Sequence, residues 1–117
     1  IVCRAPPKSD DQVAIFTLGG AGHEPALQAF VGEGLTDIRV VGDIFAAPNG
    51  PKVFQALKMM NREAGILFVV LNHAGDVLNA NIAMEMAEEA GAHDLPRPIQ
   101  SAMAFTAGIM KTLAYRI

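Results

Sequence analysis

Three apolar runs, each released through a short turn into a segment of helical spacing, constrain this chain more than any other feature. Val13 to Leu18, Asp37 to Val41 and Ile66 to Leu71 are rich in strand formers and bounded by turn residues, so each is expected as a strand. The run Ile66-Leu67-Phe68-Val69-Val70-Leu71 contains no polar residue, the pattern of a strand covered on both faces. Behind the first run, Ala26 to Val31 is expected as a helix opened by Pro25 and stopped near Gly32 and Gly34. Val53, Phe54, Leu57 and Met60 recur at helical spacing, so Pro51 to about Glu63 reads as an amphipathic helix whose stripe belongs to the core. Val77 to Ala90 makes a third helix, closed by Gly91. Strict alternation of strand and helix implies the α/β class: a parallel sheet with right-handed crossovers and helices on both faces, three layers in all.

At 117 residues the chain is expected to form a single domain, with its core in residues 1–93. The prolines of His93-Asp94-Leu95-Pro96-Arg97-Pro98 mark a linker, and Ile99 to Ile117 reads as an amphipathic helix carrying Ile99, Met103, Ile109, Met110 and Leu113, interrupted by Gly108. So apolar a helix suits a partner surface, and a homodimer is expected. The nine basic residues are scattered and the formal charge is −3, which leaves no footprint for nucleic acid. The longest strongly apolar run is far too short to span a membrane. A single cysteine, Cys3, excludes an intramolecular disulfide and fits a reducing cytoplasm. It precedes the expected folded pattern, with no histidine near it, and is not assigned as a nucleophile. The chain begins with Ile1, shows no targeting signal and is expected to be a fragment.

In a parallel sheet the turns that follow the strands share one edge, where ligands bind in open α/β folds. Here those turns are Gly19-Gly20-Ala21-Gly22-His23, Gly42-Asp43 and Asn72-His73-Ala74-Gly75-Asp76, which would bring two acids and two histidines together. Glycines at a strand end admit close approach to the backbone, and a helix opened by Pro25 would point its free N–H groups at whatever lies beside His23. Each element has a purely structural alternative. The glycine turn could be a tight connection with no ligand. Asp76 could only cap its helix, a role worth about 1 kcal/mol. His73 could lie on the surface, and Asp43 could bond the turn that follows it. His23, at the mouth of a turn, is the hardest to explain as a core residue. Gly20-Ala21-Gly22 begins a dinucleotide fingerprint with Asp43 at a tolerable distance, but Pro25 stands where its third glycine belongs. No GxxxxGK[ST] loop is present, and the spacing of His23, His73 and the aspartates follows no local zinc pattern, so no metal site is assigned.

Four blocks in order, Leu18 to Pro25, Phe30 to Gly34, Gly42 to Pro48 and Asn72 to Asn79, resemble the substrate-binding domain of dihydroxyacetone kinases. The resemblance covers residues 1–91 and leaves 94–117 unmatched. It implies a kinase component that binds dihydroxyacetone or a related ketose such as erythrulose, contacted by Gly19, Gly20, Ala21, Gly22, His23, Asn72, His73 and Asp76. Asp76 and His23 would be the catalytic pair, with Asp76 acting on the hydroxyl that receives the phosphoryl group. No cofactor is expected on this chain. The phosphoryl group would come from ATP with Mg, or from a phosphotransferase relay, held by a nucleotide-binding partner domain or subunit. Two departures qualify this. Leu71 and His73 flank Asn72 where many family members carry lysine and an aromatic residue. The family's covalent substrate histidine, supplied by a further subdomain, has no counterpart here. The alternative implied is a non-catalytic or truncated relative that binds a ketose or a partner subunit in a regulatory role.

Overall fold

In a computed structural model, residues 1–25, 27–93, 99 and 101–106 are described. The strands are Val2–Cys3 (β1), Ala14–Ala21 (β2), Ile38–Ile44 (β3), Ile66–Leu71 (β4) and Ser101–Thr106 (β5), and the α-helices are Gly50–Met60 (α1) and Ala74–His93 (α2). The strands form one sheet in the order β1-β3-β2-β4-β5. β2 to β5 run parallel, while β1 lies antiparallel on the β3 edge. The α/β class and the parallel sheet therefore stand as read, with β2 at the centre.

Side-chain alternation divides the sheet into two faces. Phe16, Leu18, Ile38, Val40, Phe68 and Val70 are fully buried on one of them. There the rings of Phe16 and Phe68 meet edge to face, 4.7 Å between centroids, and Val53, Ala56 and Leu57 of α1 join the same cluster with Ala80 and Ala83 of α2. Both helices belong to this face. The β3-to-β4 and β4-to-β5 crossovers run the same way across the sheet, and with right-handed connections both must pass over one side. The β2-to-β3 connection runs the other way and carries only a three-residue 3-10 turn, Gln28–Phe30. The helix expected over residues 26–31 is therefore absent, because Leu27 sits at φ 59, outside the helical region.

Other boundaries moved for local reasons. Asn49 caps α1 by accepting from the Lys52 N–H at 2.9 Å, so the helix starts at Gly50, and it stops at Met60 rather than near Glu63. α2 starts at Ala74 and runs through Gly91 to His93, since one glycine weakens a helix by about 1 kcal/mol without having to end it. Cys3, expected ahead of the fold, pairs with Ile38 in β1, a strand too short to show as a pattern. The expected C-terminal helix is overturned where it is described. Ser101–Thr106 is a strand paired along the whole of β4, from Ile66 with Ser101 to Leu71 with Thr106. The helical reading took Ile99, Met103, Ile109, Met110 and Leu113 together, and the last three, with Gly108 and the linker residues 94–98, lie outside the described residues. Within 101–106 the residues Met103 and Phe105 already alternate at period two, and β4 offers an edge to pair with.

Asp37, expected to open β3, is fully buried just ahead of it. Its carboxylate accepts from the Ile15 N–H at 2.7 Å, from Lys8 at 2.8 Å and from Arg4 at 3.4 Å. It thereby fastens the N-terminal segment to β2 and β3. Asp37→Ala should lower unfolding stability by about 2 to 3 kcal/mol, since it strands a buried N–H and two cations. Lys8→Ala should lower it by about 1 kcal/mol or less. Urea denaturation of the two variants should show this order, and a Lys8 effect equal to that of Asp37 would contradict it.

Candidate functional site

The carboxyl ends of β2, β3 and β4 open onto one cleft of about 690 Å³. β2 carries the glycine sequence further than expected, because Gly19 and Gly20 are buried residues of the strand and only Gly22, at φ +91, turns the chain. Between Gly19 and Ala21 the pairing with β3 slips, from Val41 to Ile44, so β3 holds one extra residue. The slip folds the turn after β3 against the end of β2. A Cβ on Gly42 would lie 2.1 Å from the Ala46 carbonyl oxygen, and one on Gly20 would lie 2.9 Å from the Ala46 nitrogen. Glycine is needed at both places so that two backbones can touch.

His23 projects from the turn with its ring 5.1 Å from that of Phe45. Phe45 itself holds φ 52 and is 72% exposed, an unusual backbone for so large a residue. Beneath them the Glu24 carboxylate accepts from the Gly22 N–H at 2.9 Å and from the Gln28 amide at 2.8 Å. With no α-helix after Pro25, no helix N-terminus points at His23. The helix end at this site belongs to α2, which begins earlier than expected and takes Ala74, Gly75 and Asp76 into its first turn. The His73 carbonyl accepts from the Val77 N–H at 2.9 Å, which opens that turn. Asn79 then bridges the helices, donating to the Gly75 carbonyl and accepting from the Gly50 N–H, each at 3.0 Å.

Asp76 is 7% exposed. Burial pushes its carboxyl above the ordinary aspartate range, and His73, Arg39 and His23 pull it back in that order. Arg39 stands on the sheet face away from the helices, 2% exposed, and reaches along it to the cleft wall. Its Nη1 donates to the Leu18 carbonyl at 3.2 Å and its Nη2 to the Gly20 carbonyl at 3.3 Å. Burial lowers the Arg39 pKa, and Asp76 and Glu24 oppose that shift.

Of the residues expected at the site, Gly19, Gly20, His23, His73 and Asp76 line the cleft together. Ala21, Gly22 and Asn72 adjoin it without lining it. Asp43 is exposed and turns its carboxylate onto the Ile44 N–H at 3.0 Å, in keeping with its structural alternative. Arg39 and Phe45 were missed. For Arg39 a signal existed, a lone charge within Ile38-Arg39-Val40-Val41, whereas the unusual φ of Phe45 has no local signature. Among the described residues no group of three His, Cys, Asp or Glu side chains is placed to hold a metal ion, and no helix is long and apolar enough to cross a membrane.

Residues 1–98 match the Dak1 domain family, slightly beyond the stretch that the motifs reach. The dihydroxyacetone-binding subunit DhaK of the PTS-dependent dihydroxyacetone kinase of Lactococcus lactis subsp. lactis is 43% identical over 88 residues, 75% of this chain and 26% of that protein. The crystal structure of the dihydroxyacetone kinase from C. freundii in complex with AMP-PNP and Mg2+ superposes with a TM-score of 0.73 at 34% identity, covering 87% of this chain and 18% of that one. The dihydroxyacetone kinase operon co-activator Dha-DhaQ superposes with a TM-score of 0.70 at 26% identity, covering 83% and 28%. The chain thus spans under a third of the length of each of these relatives.

The direction of the Asp76 shift fixes a stability prediction. Because its folded-state pKa is raised, the stability this group contributes is complete below its unfolded pKa and is lost as pH rises through the folded value. Asp76→Asn removes that loss. Its melting temperature should exceed the parent's at about pH 7, and the gain should shrink towards about pH 3, as thermal unfolding across that range would show.

Proposed function

The chain belongs to the Dak1 domain family, and from that premise we propose that it forms the ketose-binding part of a kinase acting on dihydroxyacetone or a related ketose such as erythrulose. The observation that carries this reading is the meeting of His23 and Asp76, from separate strand ends, in one cleft within the matched residues. The cleft has room for a small ketose several times over, so contacts with particular lining side chains rather than its volume would select the ligand.

Phosphorylation of a terminal hydroxyl forms an oxygen–phosphorus bond while the bond from phosphorus to the donor breaks, and the hydroxyl proton must leave. Asp76, ionised, takes that proton, and its position in a sheltered wall makes it a better base than an exposed aspartate. His23 orients the ketose oxygens beside it, and His73 lines the same cleft. The rest is positioning, which a cleft framed by strand ends and a glycine backbone supplies. The donor, ATP with Mg or a phosphotransferase relay, is held by a separate nucleotide-binding domain or subunit, where this chain needs no phosphate loop.

A second reading is favoured by the likeness to the operon co-activator. In it the same cleft binds a ketose for regulation, without turnover. Calorimetry on the full-length protein with dihydroxyacetone and with erythrulose should show ketose binding that added ATP does not compete away. His23→Ala should weaken the ketose about tenfold or more, as expected for losing an oriented hydrogen bond, and unchanged affinity would refute the site. Asp76→Asn in the assembled enzyme should remove at least about a hundredfold of turnover while sparing binding. Ketose binding with no turnover in the parent would establish the regulatory reading.

A further inference from the structure

Arg39 is the largest fully buried side chain among the described residues. A guanidinium stays charged in a protein, so its burial has to be offset by partners. The partners are unusual ones, the carbonyls of Leu18 and Gly20, which flank the one residue whose missing side chain makes room for them. A Cβ on Gly19 would lie 2.7 Å from Arg39 Nη2. Nε has no partner at all, so the hydrogen bonds present do not account for the whole group.

We propose that Arg39 is a positioning residue of the ketose site, bracing the glycine turn from beneath so that His23 is held at the cleft, and setting a permanent positive charge in the wall it shares with Asp76. The proposal rests on the ketose-binding reading above. The brace follows from geometry. Arg39 is the side-chain donor that reaches both Leu18 and Gly20, and Gly20 is in turn packed on the backbone of Ala46, so the end of β2 and the turn after β3 are held as one unit. The charge follows from what surrounds Asp76. Burial favours the protonated acid, and the groups acting against it are His73, Arg39 and His23, while Glu24 shares the field of Arg39. Imidazoles in general give up their charge near neutral pH, and a guanidinium does not. Arg39, which lines the cleft with Asp76, is thus the member of this set whose charge is permanent.

The test uses the full-length protein with Arg39→Met and Arg39→Lys, reading Asp76 by carboxyl carbon NMR titration without ligand and dihydroxyacetone affinity by calorimetry. In Arg39→Met the Asp76 titration should move to higher pH, and affinity should fall about tenfold with the loss of the brace. Arg39→Lys keeps the charge but cannot span both carbonyls, so the titration should stay in place while affinity falls about threefold or more. An unmoved titration together with parental affinity in Arg39→Met overturns the proposal. Where Arg39→Met does not fold, parental affinity in Arg39→Lys overturns it instead. A parent protein that binds no ketose refutes the function proposed above, and the ligand-free Asp76 titration then decides the charge role of Arg39 independently.

Discussion

Parallel pairing of the central strand β2 with β3 on one side and β4 on the other is the constraint from which the rest of this molecule follows. It places three carboxyl ends side by side, so segments remote in sequence have to meet at one edge. The pairing is held from below by Phe16 against Phe68 and by the side chains packed around them. α1 and α2 can lie close together over that layer because Gly50 of α1 leaves room for Ile82 of α2. Ala80 and Ala83 face inward, and a Cβ on Gly50 would sit 2.4 Å from Ile82. The cleft is therefore backed on one side by a close-packed layer, while the irregular connection on the other face contributes His23 and Leu27 to its lining.

The parts of this architecture legible in the sequence were those with a single cause. β4 is apolar throughout, so its limits could be read to the residue. The core stripe of α1 announced itself by its spacing, and His23 and Asp76 by being polar at strand ends. The misreadings arose where two causes competed. Gly19 and Gly20 look like a loop but belong to a strand, because the Arg39 guanidinium needs the empty side of Gly19 and the backbone of the next turn that of Gly20. The segment after Pro25 has helical composition, yet Leu27 takes a left-handed φ and the Glu24 carboxylate turns back to Gly22. Ser101–Thr106 has apolar residues that suit either period, and the edge of β4 decided between them. Arg39 and Phe45 owe their roles to contacts that only the assembled sheet creates.

Two buried aspartates show how differently one fold can use the same side chain. Asp37 is surrounded by donors from a backbone N–H, a lysine and an arginine, and serves as a fixed anchor. Asp76 faces charges in the walls of an open cleft, with burial pressing it towards the neutral acid and three cationic or potentially cationic groups opposing. The first carboxylate has its acceptor positions taken up by fixed partners, whereas the second opens onto a cleft where a ligand could reach it. Perturbed acids in clefts are accordingly candidates for chemistry, and the contrast with Asp37 is internal to this protein.

The contact of Gly20 and Gly42 with the backbone of Ala46 divides the cleft by its capacity for change. No side chain fits on either glycine without displacing main chain, so the floor is closed to substitution. Leu71 and His73 line the rim of the same cleft and are exposed, Leu71 by 38%. A lineage adapting this domain to new ligands would accumulate its differences along that rim while the floor stayed constant. Evolutionary drift in specificity is thereby channelled into a few positions after one strand, and relatives with unlike ligands would still share the same glycines.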